Sequence, residues 1–152
     1  MLNFTFHTIT NENEIDILSG QRSSLNGFDY QYSDNDETIT LLKKNFHLQE
    51  SLYLITKQDD TFAAFVSMDR GWWEENCFFL REIFVNPDFQ GQGLGKKLMN
   101  ACIEHARKHW AIAIVTETAF ENIPMQKLCE SLGFERWDNL EWKEGITYKL
   151  LF

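Results

Sequence analysis

The sequence predicts an α/β fold of the α+β type: a mixed central sheet of about seven strands flanked by about four helices, in one domain covering residues 1–152. Three observations lead there. Apolar residues alternate along several stretches, as they do in half-buried strands. Elsewhere they recur at helical spacing. The two patterns follow one another as strand–helix–strand along only part of the chain, which favours a mixed sheet with helices on both faces over a fully parallel one. A hydrophobic content of 43%, with 13 Phe and 5 Trp, provides for a sizeable core and argues against a disordered chain. No linker-like tract or internal repeat divides the chain.

Taken in order, "LNFTFHTI" alternates and reads as a first strand. "NENEIDILSGQ" follows, with Asn11 and Glu14 at capping-box spacing, so a helix starts there. Residues 20–33 are polar and aromatic and read as a loop. A second helix is expected from about Asp34 to Phe46, with Ile39, Leu42 and Phe46 on one face. "SLYLITKQ" and "TFAAFVSMD" are strands joined by the turn "DD", a hairpin. "RGWWEEN" is a second turn with an acidic, aromatic tip, and "CFFLREIFVN" is a long strand. After a glycine-rich stretch a helix runs to about His109. Its expected buried stripe is Leu94, Leu98, Ala101, Cys102 and His105, with Lys96, Lys97, Glu104, Arg107 and Lys108 in water. "AIAIVTETA" is a strand buried at its start. "IPMQKLCESL" is a short helix that stops at Gly133. "FERWDN" and "ITYKLLF" read as a closing pair of strands.

Charge and composition narrow the function. A formal net charge of −9 argues against nucleic-acid binding, which needs clustered Lys and Arg, and suits attraction of a cationic substrate. Three cysteines without CxxC spacing, and histidines far from them, signal neither a disulfide framework nor a metal site. "MLNFTFHTIT" lacks the basic start and long apolar run of a secretory leader. Apolar runs are too short to span a bilayer. The expectation is a cytoplasmic protein that engages no membrane.

The stretch "FVNPDFQGQGLGKKLM" holds Gly91, Gly93 and Gly95 between a strand and a helix. Glycine lets backbone N–H groups approach an anion, and a helix N-terminus adds unpaired donors and a positive dipole end. Lys96 and Lys97 stand in the first helical turn, where positive charge is unfavourable unless an anion sits nearby. A Walker loop is excluded because Gly91 and Lys96 are wrongly spaced and Lys97 replaces the required Ser or Thr. A dinucleotide fingerprint is excluded because "GQGLG" does not match GxGxxG and several elements precede it. A purely structural turn is the alternative.

"VNPDFQGQGLGKKLM" resembles the acetyl-CoA signature of the GNAT (Gcn5-related) N-acetyltransferases: Gln or Arg, two residues, Gly, one residue, then Gly or Ala. Gln90, Gly93 and Gly95 match it. "LREIFVNP" resembles the strand that leads into that signature, and "ENIPMQKLCESLGF" resembles the family's second signature. The order of elements is similar along essentially the whole chain, which implies a mostly antiparallel sheet. The resemblance implies acetyl-CoA as co-substrate, with its pyrophosphate on Gln90, Gly91, Gln92, Gly93, Leu94, Gly95 and Lys96. It implies the pantetheine arm along Ile83, Phe84 and Val85, where one backbone N–H would face the thioester oxygen. Asn122 matches an Asn that contacts the cofactor in many members.

Acetyl transfer to an amine needs a base, because an alkylamine with a pKa of about 10 arrives protonated. It also needs a proton for the departing thiolate. Glu82, beside the expected thioester, is the base candidate; Glu117 and Glu121 are alternatives. Many members carry a Tyr where this sequence has Cys129, so the acid is Cys129, water or Tyr148, or the protein binds acyl-CoA without turnover. For the acceptor, the first loop offers Phe28, Asp29, Tyr30 and Tyr32, and the hairpin tip offers Trp72, Trp73, Glu74 and Glu75. Aromatics beside carboxylates suit an amine. A polyamine-like or aminoglycoside-like small molecule is expected, with a basic peptide side chain as the alternative; Glu117 is a further acceptor-site candidate. Trp72 and Trp73 also suit packing against a loop or a partner, and a homodimer is the family-level expectation.

Overall fold

The computed structural model describes residues 3–23, 30–31 and 37–152. The strands are β1 (Phe4–Thr8), β2 (Arg22–Ser23), β3 (Tyr30–Gln31), β4 (Leu52–Gln58), β5 (Thr61–Asp69), β6 (Cys77–Val85), β7 (Ala113–Ala119), β8 (Glu135–Trp137) and β9 (Gly145–Leu151). The α-helices are α1 (Glu37–Phe46), α2 (Leu94–Lys108) and α3 (Ile123–Ser131), with 3-10 helices at Glu12–Leu18 and Pro87–Phe89. Seven strands form one sheet in the order β1-β4-β5-β6-β7-β9-β8, while β2 and β3 pair separately. Every neighbouring pair in the large sheet is antiparallel except β6–β7. The mixed, mostly antiparallel sheet is the one expected.

Two apolar layers cover the sheet. Val66, Phe78, Leu80, Ile83, Ile114 and Tyr148 point to one face, where they pack with Leu94, Leu98, Met99 and Cys102 of α2 and with Met125 and Cys129 of α3. Tyr53, Phe65 and Phe84 point to the other face and pack with Ile15, Leu18, Ile39 and Leu42 from the first 3-10 helix and α1. Alternation along each strand produces this division.

Several local expectations hold in detail. Asn11 and Glu14 form a capping box, although the element that they open winds as a 3-10 helix rather than an α-helix. Gly133, at φ 91°, follows α3 in the left-handed conformation; the N–H groups of Phe134 and Gly133 return to the carbonyls of Cys129 and Glu130. The buried stripe of α2 differs from the expected one: Met99 and Ala106 are buried with Leu94, Leu98 and Cys102, whereas Ala101 and His105 are half-buried. The stripe is rotated toward Met99 because α2 lies across β4, β5, β6 and β7 rather than along a single strand. The first residues of the expected second helix, from Asp34, lie outside the described residues. No described helix is long and apolar enough to cross a membrane.

Candidate active site

The site grows from a break in the sheet. β6 and β7 pair in parallel from Cys77–Ala113 to Leu80–Thr116, and the register ends there. Beyond that pair a cleft of about 270 Å³ opens, lined by Leu80–Ile83 of β6, Thr116–Ala119 of β7, and Asn122 and Met125 of α3. The Thr116 hydroxyl donates to the Leu80 carbonyl at 3.0 Å, tying the strands at the apex.

A β-bulge shapes the β6 wall. Ser67 pairs with Glu82 but Met68 pairs with Leu80, so Arg81 is an extra residue. Leu80 and Ile83 thus both reach the α2–α3 core despite their odd spacing. Glu82 and Phe84, two apart, share the opposite face. The Glu82 backbone N–H donates to the buried Ser67 hydroxyl at 3.1 Å. Arg81 also points to that opposite face, where its guanidinium grips Asp69 in two hydrogen bonds of 2.8 and 3.0 Å and lies over the Phe79 ring. Asp69 is fully buried and also accepts from the Gly71 N–H. Charge-assisted bonds from two groups satisfy that carboxylate.

The β7 wall supplies Glu117, half-buried on the same face as Val115. Burial raises its pKa above the usual 4.5, and Arg81 partly opposes the shift. On the other face Thr118 is buried, and its hydroxyl has no hydrogen-bond partner among the described residues. Asn122 is buried at the end of the cleft, where its side chain caps α3 by accepting from the Met125 N–H at 3.2 Å.

A second pocket of about 250 Å³ continues along the same side. It is lined by Val85 and Phe89, the loop residues Gln90, Gly91 and Gly93, the first turn of α2, and Pro124 and Leu128 of α3. Gly91 and Gly93 have φ of 80° and 76°, left-handed values that favour glycine, and a Cβ at either would meet open space. Their role is therefore to turn the backbone rather than to relieve a close contact. Gly93 is the N-cap of α2 and makes no side-chain cap, so the positive end of a 15-residue helix faces the pocket. The loop is held from behind. Asn86 donates to the Phe62 carbonyl at 3.0 Å and accepts from the Asp88 N–H, while Phe89 is buried edge-on against Phe4.

The sequence-derived candidates divide accordingly. Glu82, Ile83, Glu117 and Asn122 line the cleft, and Val85, Gln90, Gly91, Gly93, Leu94, Gly95 and Lys96 line the pocket beside it. Gln92 is exposed in the same loop, and Phe84 faces the core on the α1 side. Neither acid candidate lines the cleft. Cys129 is fully buried in the core, where its thiol is pushed up to about 12 by burial and then by Glu130. Tyr148 is also buried; its hydroxyl donates to Glu130 at 2.6 Å, and burial raises its pKa to about 12. Glu74 grips Lys149 at 2.8 and 2.9 Å, and Trp72 stacks between Trp73 and Phe79. Phe28 lies outside the described residues, and Tyr30 is described only by its backbone pairing with Ser23. Ser67, Asp69, Arg81, Thr116 and Thr118 were not singled out by sequence reasoning. The available signal was a polar residue inside an apolar strand, as Ser67 and Asp69 are in "AAFVSMD".

A family model for the acetyltransferase (GNAT) family matches residues 21–134. The chain belongs to the GNAT acetyltransferase family. It is 27% identical over 137 residues to an uncharacterised N-acetyltransferase of Methanocaldococcus jannaschii; the match covers 87% of this chain and 61% of that relative, so the chain spans less than two thirds of the relative's length. The fold is similar to that of the ribosomal-protein-S18-alanine N-acetyltransferase of Escherichia coli, with a TM-score of 0.73, 22% identity, and coverage of 98% and 94% of the two chains. It is also similar to a Salmonella typhimurium protein whose structure holds its cofactor acetyl-CoA, with a TM-score of 0.70, 16% identity, and coverage of 97% and 93%.

The residues present suit the acetyl-CoA that GNAT proteins use. A pyrophosphate needs unpaired N–H donors and positive charge; the N-terminus of α2 has no side-chain cap, and Lys96 and Lys97 are exposed beside it. An extended arm needs a strand edge, and β6 leaves β7 at Leu80. The orphaned Thr118 hydroxyl offers a polar contact along the cleft. Among the described residues no group of three or more His, Cys, Asp or Glu side chains is placed to hold a metal ion.

Proposed function

We propose that this GNAT protein transfers the acetyl group of acetyl-CoA to a primary amine by direct attack in a ternary complex. One observation carries the reading: the split beyond Leu80 and Thr116 runs from the glycine-turned N-terminus of α2 to the carboxylates Glu82 and Glu117. Acetyl-CoA supplies an activated thioester. The loop from Gln90 to Lys96 binds its phosphates, and the edge of β6 at Ile83–Val85 orients its arm. Glu82 is the base that takes the first proton from the arriving ammonium group, directly or through water, and Glu117 stands on the same face to share that task. As the C–N bond forms and the C–S bond breaks, the second proton lost by the nitrogen would pass through water to the departing thiolate, since neither Cys129 nor Tyr148 lines the cleft. Both carboxylates line the cleft, which supports the cationic acceptor inferred from the acidic chain. Glu74 supports it less, because Lys149 sits 2.8 Å from its carboxylate. We also propose a homodimer, as the resemblance implies.

Thermal unfolding with acetyl-CoA, with ATP and NADH as controls, tests the cofactor. Saturating it at a hundred times the dissociation constant stabilises the native state by about 2.7 kcal/mol. Amine-dependent release of CoA then tests transfer, with polyamines, an aminoglycoside and a lysine peptide in the panel. No stabilisation by millimolar acetyl-CoA overturns the reading.

A second reading, an acyl-CoA-binding module without turnover, is favoured by the enclosure of Cys129 and Tyr148 away from the cleft. Binding of acetyl-CoA with no CoA release across the panel would establish it.

A further inference from the structure

A third cavity, of about 460 Å³, lies at the end of the sheet where β6 and β7 part. Phe120, Trp137 and Trp142 form its walls, and Gly145, Ile146 and Thr147 at the start of β9 form its floor. Its position relative to the cleft follows from register. Glu117 pairs with Thr147, and Thr147 pairs with Trp137, so the three side chains form one row across β7, β9 and β8 on one face. With strands about 4.8 Å apart, Trp137 stands roughly 10 Å from Glu117.

Trp142 is held as a wall by the backbone beneath it. A Cβ on Gly145 would come within 2.5 Å of the Trp142 ring and 2.3 Å of the Thr118 carbonyl, so only glycine lets the ring lie on β9. Lys149 sits 3.7 Å from the centre of the Trp137 ring, and its charge is neutralised by Glu74. Asn139 is buried and committed to the Thr147 hydroxyl and the Glu141 N–H. The charged rim is balanced. Asp138 faces Lys143 at 3.8 Å, and Arg136 faces Glu130 at 3.9 Å. The cavity therefore offers aromatic walls beside a polar rim in which, among the described residues, each charged lining side chain faces an opposite charge.

We propose that this cavity is the acceptor's distal subsite and that the preferred acceptor is a primary amine carrying an aryl or similarly flat apolar group on a short linker. The proposal rests on the acetyltransferase reading above. The ammonium group lies at Glu82 and Glu117, and the ring lies among Phe120, Trp137 and Trp142, where offset stacking and apolar burial hold it. A second ammonium group, as in a diamine, finds no unpaired carboxylate there. The space is adequate, since a dry cavity of roughly 150 Å³ already takes a benzene ring.

The test compares benzylamine, 2-phenylethylamine and 4-phenylbutylamine with 1,4-diaminobutane and γ-aminobutyrate, using acetyl-CoA and the full chain. The expected kcat/KM is at least about tenfold higher for the best phenylalkylamine than for the diamine or the amino acid. Trp142→Ala should reduce that preference about tenfold and Trp142→Phe should restore most of it. Phe120→Ala, at a side chain 54% exposed, serves as a second variant that does not depend on the core. Equal or better use of the diamine by the unmodified protein, or a preference unmoved by both Trp142→Ala and Phe120→Ala, overturns the subsite and leaves acetyl transfer standing. Turnover of no amine, with or without stabilisation by acetyl-CoA, overturns both.

Discussion

Leu80 and Thr116 are the last register pair between β6 and β7, and the Thr116 hydroxyl donates to the Leu80 carbonyl at 3.0 Å. This bond closes the apex of the cleft. Thr116→Val keeps the shape but leaves a buried carbonyl without that donor, so a loss of about 1–2 kcal/mol is expected in denaturant unfolding. The KM for acetyl-CoA should rise as the strands lose their tie. An unchanged midpoint and KM would mean that backbone pairing alone sets the apex.

The Arg81–Asp69 pair stiffens the bulge behind Glu82. Arg81→Met leaves the fully buried Asp69 carboxylate with the Gly71 N–H but no cation. Destabilisation of about 3–5 kcal/mol is expected. Adding Asp69→Asn should recover part of it, because the uncompensated charge is then gone. Equilibrium unfolding of the two single variants and the double variant measures the coupling.

Gly93 caps α2 at a φ of 76° with open space where a Cβ would be. The cost of Gly93→Ala is therefore conformational, about 1–2 kcal/mol in the cofactor-free protein. Gly93→Asp adds negative charge at the proposed phosphate site and should abolish the acetyl-CoA-dependent rise in melting temperature while the protein still folds. Retention of that rise would place the phosphates elsewhere.

Glu117 links pH to both stability and rate. Burial raises its pKa above 4.5, so the native state disfavours the ionised form. Its favourable contribution is present below the unfolded value and is lost as pH rises through the raised folded value. Glu117→Gln should therefore be the more stable protein at neutral pH and show a smaller loss of stability across that window. If Glu117 shares the base role, the acidic limb of the rate profile should lie above the ordinary carboxylate pKa and change in Glu117→Gln. Melting curves and kcat/KM from pH 4 to 8 test both effects.

All three cysteines are buried, and burial raises each thiol, to about 12 for Cys102 and Cys129. Thiolate is the reactive form, so a disulfide reagent should find no fast thiol in the native protein at neutral pH and three after unfolding. Placing the Tyr common in GNAT proteins at position 129 should destabilise by about 1–3 kcal/mol through overpacking, without raising turnover. A gain in turnover for Cys129→Tyr would show that the core opens to the cleft.

Much of this protein was legible from local pattern. The β-rich runs "TFAAFVSMD" and "CFFLREIFVN", the helix after Gly95, and Gly133 at a helix end each depend on a few adjacent residues, and each element was found where expected. The glycine loop was readable for the same reason, since positive φ at Gly91 and Gly93 is a local backbone requirement. The tertiary structure decided what depends on register. The bulge at Arg81 was not visible in sequence, because it exists only as a mismatch between β5 and β6. The rotation of the α2 stripe toward Met99 and Ala106 depends on how that helix crosses four strands. The loss of Glu74 as a free carboxylate depends on Lys149, 75 positions away along the chain. The row from Glu117 through Thr147 to Trp137 joins three strands whose order no local spacing encodes. Periodicity shows which face of an element is apolar; only pairing and packing determine which side chains from distant elements share one site.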